Sequence, residues 1–580
     1  MAAVRQYAFD DYLLDAESRL LFRHGKRVAA APKVIDLLIT LVEAQGQVLG
    51  KRELFDRVWP GAVVEDGSLT SHISLLRRTL QRTGRGGTFI ETIPKRGYRF
   101  VAAVARPQAA SARARSPTDR RLLIVLPFQS LDTDSKHDYF SDGLTEEMIA
   151  QLARLNPRRL GVIARTSAMQ YRDTTKTIEQ IALELGVTHL LEGSVRRAGN
   201  RVRITAQLIH ATDQALLWSD SLERNLRDIL RVQSDIARTI AKQIGIQLDP
   251  RVRAQLSARV DPRGYESYLR GRDLLNRRTP QALRQATRMF RLAIAREPQS
   301  ARAWSALADC YIVPGTWSWI APRVVAVSAE AAARKALACD DTLAEAHVSL
   351  AMVLSLYARR FDDGEAAFRR AIELNPNYTT AHHWFSFLLS ATGRTASALA
   401  EIRLAHELDP LSQIVLANWG TALFWARQYE AAAERCQAAL ALNPRFWFAR
   451  WMLGLACEQL GQYAQAIAQQ RLAISYLAQP SSLLIASLTR ARALGGAKSA
   501  AMRRLGQLVS GSRRGAIAWY HAALAHAALG QLDTSFQLLE RACEERDPWA
   551  AFLEVDPRID PLRNDGRYTR LLKRVRGSSQ

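Results

Sequence analysis

The sequence predicts a multidomain chain: an α+β helix-turn-helix unit, then a compact α/β domain, then an all-α array of stacked helical repeats. Three observations carry that reading. Residues 1–103 open with short alternating strand-like pieces and then pass into helical periodicity. Residues 122–250 alternate strand and helix signals, as in LLIVLPF followed by GLTEEMIAQLARL. Residues 263–574 are almost purely helical, and Pro376, Pro410 and Pro444 mark a period of 34 residues.

Composition sets the outer bounds. At 580 residues the chain exceeds a single core, since domains run to roughly 100–200 residues. With 48% hydrophobic and 23% charged residues it is ordinary globular material. The net charge of +24 invites a polyanion as partner, but 70 of the 80 basic residues are Arg, a bias that a GC-rich genome produces without function. The location of the charge must therefore decide. Cys310, Cys339, Cys436, Cys457 and Cys543 are scattered, odd in number and never in a CxxC pair, so buried thiols in a reducing compartment are expected, with no metal site or disulfide framework. The opening MAAVRQYAFDDY places charges where a signal peptide needs an apolar core, and no stretch reaches 18 uncharged apolar residues. The expectation is a cytoplasmic protein with no membrane partner.

In the first region, Tyr7–Phe9, Tyr12–Leu14 and Leu20–Phe22 read as strands broken by acidic turns. Pro32 opens a helix whose Ile35, Leu38, Ile39 and Val42 share a face, and Gly46 follows it as a stop. A second helix spans Lys51 to Val58, and a third spans Ser68 to Leu80. In TFIETIPKRGYRFVAAV, Lys95-Arg96-Gly97 lies between two β-favouring runs as a hairpin turn. Residues 104–121, with five Arg against one Asp and no apolar period, form a flexible basic linker.

The third helix carries the chemistry. Leu69, Ile73, Leu76 and Leu80 recur at i, i+4, i+7 and i+11 as a buried stripe, which leaves Ser68, Thr70, Ser71, Ser74 and Arg77 facing outward. An α-helix fits the DNA major groove, where short hydroxyls allow close approach and Arg reaches guanine or phosphate. His72 and Arg78 border the stripe and are placed for phosphate, with a structural role for His72 as the alternative. Lys95, Arg96 and Arg99 bring cations to the hairpin, and Lys51 and Arg52 bring them to the start of the second helix as candidate phosphate contacts. Gly97 sits where the turn needs a positive φ, and Tyr98 and Phe100 are read as core.

WPGAVVEDGSLTSHISLLRRTL followed by IETIPKRGYRF resembles the winged helix-turn-helix domain of the OmpR/PhoB family, particularly its CadC- and ToxR-like one-component regulators. The resemblance implies that the helix Ser68–Leu80 reads the major groove while the hairpin wing lies near the adjacent minor groove. Two departures stand out. The winged helix begins at the first residues, so no receiver aspartate is expected, and no transmembrane helix follows it as in membrane-anchored relatives. The recognition helix has Ser and Thr at several outward positions where these regulators tend to have Arg.

LPFQSL, DGLTEEM and GVTHLLEGSVRR make residues 122–250 similar to the TolB-amino-terminal-like α/β domain, which implies architecture more than activity. This region has no phosphate-binding glycine loop, HExxH or GxSxG. Its acidic cluster of Asp138, Asp142, Glu146 and Glu147 is read as helix capping. The 34-residue period, the recurrent alanines at 398, 432 and 466, and Gly420 and Gly454 at a shared phase resemble a tetratricopeptide-repeat superhelix. An insertion is expected around Pro314 to Pro322. Of Trp384, Trp419, Trp425, Trp447 and Trp451, most should fill spaces between helices and the rest should line a groove. His382 and His383, adjacent on one helix, are read as structural. The tail from Asp547 reads as a capping helix pair.

These readings converge on a sequence-specific, duplex-DNA-binding transcription regulator, not an enzyme, with no cofactor. Its repeats would sense a protein, peptide or small effector. Double-stranded DNA and a protein or peptide on the repeats are the expected partners, with RNA polymerase and a second copy of the chain on DNA as further candidates. The alternative is a protein-interaction scaffold whose winged helix does not read DNA.

Overall fold

The computed structural model describes residues 6–16, 20–23, 26–28, 32–44, 46–58, 66–80, 89–94, 96–102, 104, 121–132, 138–157, 159–246, 260–510 and 517–577. The chain divides into two compact units, residues 1–116 and 117–580. The expected linker, apart from residues 104 and 121, lies outside the described residues.

In the first unit β1 (Gln6–Phe9), β2 (Tyr12–Asp15), β3 (Leu20–Arg23) and β4 (Lys26–Arg27) form an antiparallel meander in that order. The residues of β4 were not located from the sequence, because two residues are too short to show an alternation. α1 (Pro32–Glu43) starts at its proline and buries Val34, Ile35, Leu38, Leu41 and Val42, and Gly46 beyond its end has a φ of +84°. α2 (Lys51–Val58) buries Leu54 and Val58, and α3 (Asp66–Thr79) buries Leu69, Ile73 and Leu76. β5 (Ile90–Ile93) and β6 (Gly97–Phe100) make the expected hairpin, tied to the turn before α2 by pairing of Leu49 with Tyr98. Phe9, Tyr12, Phe89 and Phe100 interlock, with Phe9 and Phe100 edge-to-face at 5.0 Å, so the N-terminal sheet and the hairpin share one core.

The second unit opens with β7 (Arg121–Val125), β8 (Gln129–Ser130), α4 (Asp138–Leu155), β9 (Leu160–Val162), α5 (Arg165–Ala168) and α6 (Ile178–Leu185). β10 (His189–Ala198), β11 (Arg201–His210), β12 (Leu216–Asn225) and α7 (Ile229–Gln243) follow. The sheet order is β12-β11-β10-β7-β9, with β7 parallel to both β10 and β9, β8 also parallel to β10 beyond β7, and the β10–β11 and β11–β12 pairs antiparallel. A Thr177–Gln180 capping box starts α6, and Gly186 at φ +66° ends it.

Eight helix pairs follow between Pro262 and Glu544 among the described residues. The shared glycine phase has the expected cause. A Cβ on Gly420 would lie 2.7 Å from the Cys436 sulfur and 2.9 Å from the Ala432 carbonyl, and one on Gly454 would lie 2.8 Å from Gln470. The expected insertion proves to be a longer turn: Pro314 stays inside the helix Ala301–Thr316, and Trp317–Ala321 lead to the next helix, Pro322–Cys339. From that turn Trp317 meets Trp447 at 5.2 Å.

Two expectations are corrected. The tail is not a capping helix pair: Pro548–Phe552 and Pro557–Leu562 are 3-10 turns, and only Gly566–Arg576 is α-helical. These prolines break the helical ladder. Trp549 and Phe552 pack among the first helices of successive pairs, where Trp425 stacks on Phe552 at 4.0 Å, Trp451 meets Trp549 edge-on at 5.3 Å, and Trp549 Nε1 donates to the Thr316 carbonyl at 2.9 Å. The chain's own tail thereby covers Trp425 and Trp451.

The acidic cluster is the second correction. Asp138 opens α4, but Glu146 and Glu147 lie mid-helix and face the repeats. Glu146 pairs with Arg272 and, at 3.2 Å, with Arg165, while Glu147 pairs with Arg302 and accepts from Tyr268 Oη at 3.0 Å. Asp142 pairs with Arg172. Arg154 binds both oxygens of Glu345, and Asn377 Nδ2 donates to the carbonyls of Ala153 and Leu160 at 3.2 and 2.7 Å. The α/β sheet and the repeats are thus docked through buried polar contacts around one continuous apolar core.

Candidate nucleic-acid interface

α3 separates two faces. The stripe Leu69, Ile73 and Leu76, continued by Leu80, is buried against the core of its unit. Thr70, Ser71, Ser74 and Arg78 are exposed on the other side, and His72 is half-buried at the border. Leu75, which sequence reasoning missed, belongs to this outer face with 40% of its surface exposed. Its signal was present: an apolar residue off the i, i+4, i+7 stripe. The side chain of Ser68, like Lys95 altogether, lies outside the described residues.

Arg77 differs from the expectation that it faces outward. Its Nε and Nη2 donate to the Ile90 carbonyl at 3.2 and 2.9 Å, and Nη2 also donates to Thr92 Oγ1 at 2.7 Å. It fastens α3 to the first strand of the hairpin. Arg99 lies across the hairpin on its exposed side and pairs with Glu91 at 2.5 Å. Arg96 is exposed at the hairpin tip. Lys51 and Arg52 are exposed at the start of α2.

The hairpin is held close by Gly97. Its φ is +141°, and a Cβ there would lie 2.0 Å from the Leu49 carbonyl, so only glycine lets the wing pair with the turn before α2. Tyr98 and Phe100 are buried, as read from the sequence. The geometry assembles a polar helix face bearing a cation, braced to a two-stranded wing with another cation at its tip.

An outward helix beside a wing, an α/β sheet and helical hairpin repeats follow one another along the chain, and each resembles a known domain: a winged helix of the OmpR/PhoB type, a second domain of transcriptional regulators, and tetratricopeptide repeats. Comparison with known families gives the same order: "Transcriptional regulatory protein, C terminal" matches residues 25–100, "HilA/YgeH-like transcriptional regulator, second domain" residues 119–239, and "Tetratricopeptide repeat" residues 418–481. The chain is 32% identical over 291 residues to the putative adenylate cyclase 3 of Rhizobium meliloti, covering 47% of this chain and 49% of that protein. It is 27% identical over 434 residues to the transcriptional regulator HilA of Salmonella typhimurium, covering 74% of each. It is 33% identical over 95 residues to the transcriptional activator CadC of Escherichia coli, covering 16% of this chain and 19% of that one. The chain thus spans about half the length of the first of these relatives and three quarters of the second. The cholera toxin transcriptional activator of Vibrio cholerae is matched over a similarly short stretch, 35% identical over 79 residues, covering 13% of this chain and 27% of that one. Among the described residues no helix is long and apolar enough to cross a membrane.

Proposed function

We propose that this protein is a sequence-specific, duplex-DNA-binding transcription regulator whose second unit receives the input. One observation carries the reading: the exposed face of α3 presents Thr70, Ser71, Ser74 and Arg78 around Leu75, and Arg77 braces it to a wing with Arg96 exposed at its tip. Thr70, Ser71 and Ser74 allow the helix to approach base edges, with Ser68 in the same register, and Leu75 offers an apolar contact to a thymine methyl. Arg78, His72, Lys51 and Arg52 meet phosphates, and Lys95 and Arg96 lie along the minor groove. Arg77 and Arg99 act by positioning the wing. The second unit senses an effector or partner and changes contacts to RNA polymerase or to a second copy of the chain. The domain limits proposed are 1–103, 122–250 and 263–574, and the protein acts in the cytoplasm.

The scaffold reading draws support from Arg77 and Arg99, because both are committed to contacts within their own unit. Selection of duplexes from a random pool by the full-length chain separates the two. A shared motif among bound sequences supports readout; retention of partners without any enriched motif supports the scaffold.

A further inference from the structure

We propose that the cleft between the α/β sheet and the repeats binds a small monocarboxylic acid with a phenyl-sized apolar body. The proposal rests on reading the second unit as the input side of the regulator. The cleft encloses about 190 Å³. Its walls come from α4, from the turn after β9 and from the first helices of several repeats. The carboxyl end of a parallel strand is where α/β sheets hold ligands.

Polar side chains of both charges line this space, and three features among them favour an anion. Arg278 lines it, and among the described residues its guanidinium makes no hydrogen bond; Asp309 and Asp409 act on it only through space. Its backbone is held at φ +50°, a strained conformation for a non-glycine residue. Thr379 also lines it; the residue is 8% exposed, and among the described residues its buried hydroxyl has no partner. Thr379 is also the first residue of the helix Thr379–Ala391, whose N-terminal end opens on the same wall and favours negative charge. Neighbouring acids are already engaged: Glu146 by Arg272, Asp309 by Ser349 at 2.7 Å, Asp409 by Ser167 and Glu345 by Arg154. Among the described residues, Arg278 keeps its guanidinium donors unspent beside them.

A planar guanidinium, a hydroxyl and a helix N-terminus together fit a carboxylate, which accepts two parallel bonds from Arg. Ile149, Val162, Val313, Trp384 and Ile414 supply the apolar walls. A dry cavity of about 150 Å³ holds benzene, so the volume here fits a phenyl ring bearing a short acid. Asp309, Asp409 and Glu345 would repel a second negative charge, which restricts the ligand to one carboxylate. Both the sheet and the repeats line the cleft, so an occupant biases how they dock.

The test uses the full-length chain, with benzoate and phenylacetate against benzamide and inorganic phosphate, by calorimetric titration and thermal denaturation. One of the two acids should bind with one site per chain and raise the transition of the second unit. Benzamide and phosphate should bind roughly tenfold or more weakly, as the loss of a charged hydrogen bond predicts. Arg278→Gln and, separately, Thr379→Val should abolish or weaken binding while leaving the ligand-free transition within a few degrees. If Arg278→Gln unfolds the chain, Thr379→Val carries the decision alone. Equal binding of acid and amide, equal binding of phosphate, binding unaffected by both variants, or no binding of either acid overturns the proposal. Duplex titration of the same samples reads the DNA-binding proposal independently, since the two can fail separately.

Discussion

Arg77 on α3 holds the Ile90 carbonyl of the wing through two hydrogen bonds, at 3.2 and 2.9 Å. α3 and the hairpin are therefore one mechanical piece. Arg77→Ala should lower the stability of the first unit by about 1–2 kcal/mol, the scale of a partly exposed charged hydrogen bond. It should also weaken binding at all duplex sequences alike. Arg78→Ala, on the exposed face, should weaken binding with a stability change within about 0.5 kcal/mol. Urea denaturation beside duplex titration checks the contrast.

Gly97→Ala forces a Cβ against the Leu49 carbonyl in a backbone conformation that L-residues avoid. A cost of roughly 1–3 kcal/mol is expected, with separation of the wing from the turn before α2. Loss of amide protection at Leu49 and Tyr98 in hydrogen exchange would register it. Unchanged protection would show that the turn adapts.

His521 is buried between Trp451 and Trp549, at 5.8 and 5.2 Å, with both ring nitrogens unpaired among the described residues. Burial holds its pKa well below the ordinary 6.5. The unfolded chain takes up the proton as pH falls and the folded chain does not, so stability present above pH 6.5 is lost on acidification, by up to about 1.4 kcal/mol per pH unit. His383, lowered by burial to about 3, acts in the same direction. Asp309 and Asp547, both raised by burial to about 6, act in the opposite direction: they add stability as pH falls from 6 towards 3.8. The histidine effect is therefore clearest between pH 7.5 and 6. His521→Phe should lose less stability than the parent over that window, as read by thermal denaturation.

Glu147 is buried and holds Arg302 and the Tyr268 hydroxyl across the contact between sheet and repeats. Glu147→Ala leaves a part-buried cation unpaired and should cost about 2 kcal/mol. Limited proteolysis should then release the α/β region from the repeats. An undisturbed cleavage pattern would mean that the apolar core alone holds them.

Local signals were legible in the sequence and distant ones were not. Pro32, the limits of α2, the Leu69–Ile73–Leu76 stripe and Gly97 each follow from residues within one or two turns of each other, and the structure has them as read. Gly420 and Gly454 were legible because the repeat places the same need twice. Arg272, Tyr268 and Arg302, which hold Glu146 and Glu147, lie on helices more than a hundred residues further along, so an acidic run near a helix start looked like capping. Arg77 looked outward because periodicity fixes its angle about the helix but not the strand beside it. The tail kept its apolar content but not its helices, since Pro548, Pro557 and Pro561 interrupt the pattern.

The most direct test of DNA readout is the salt dependence of binding by the full-length chain to its selected duplex, compared with Arg96→Ala. The account predicts tighter binding to the selected sequence than to a scrambled one, with a steep fall of log K against log salt. It also predicts that Arg96→Ala lowers that slope by about 0.9, one phosphate contact's worth. Equal affinity for selected and scrambled duplexes, or a slope unmoved by the substitution, would contradict it.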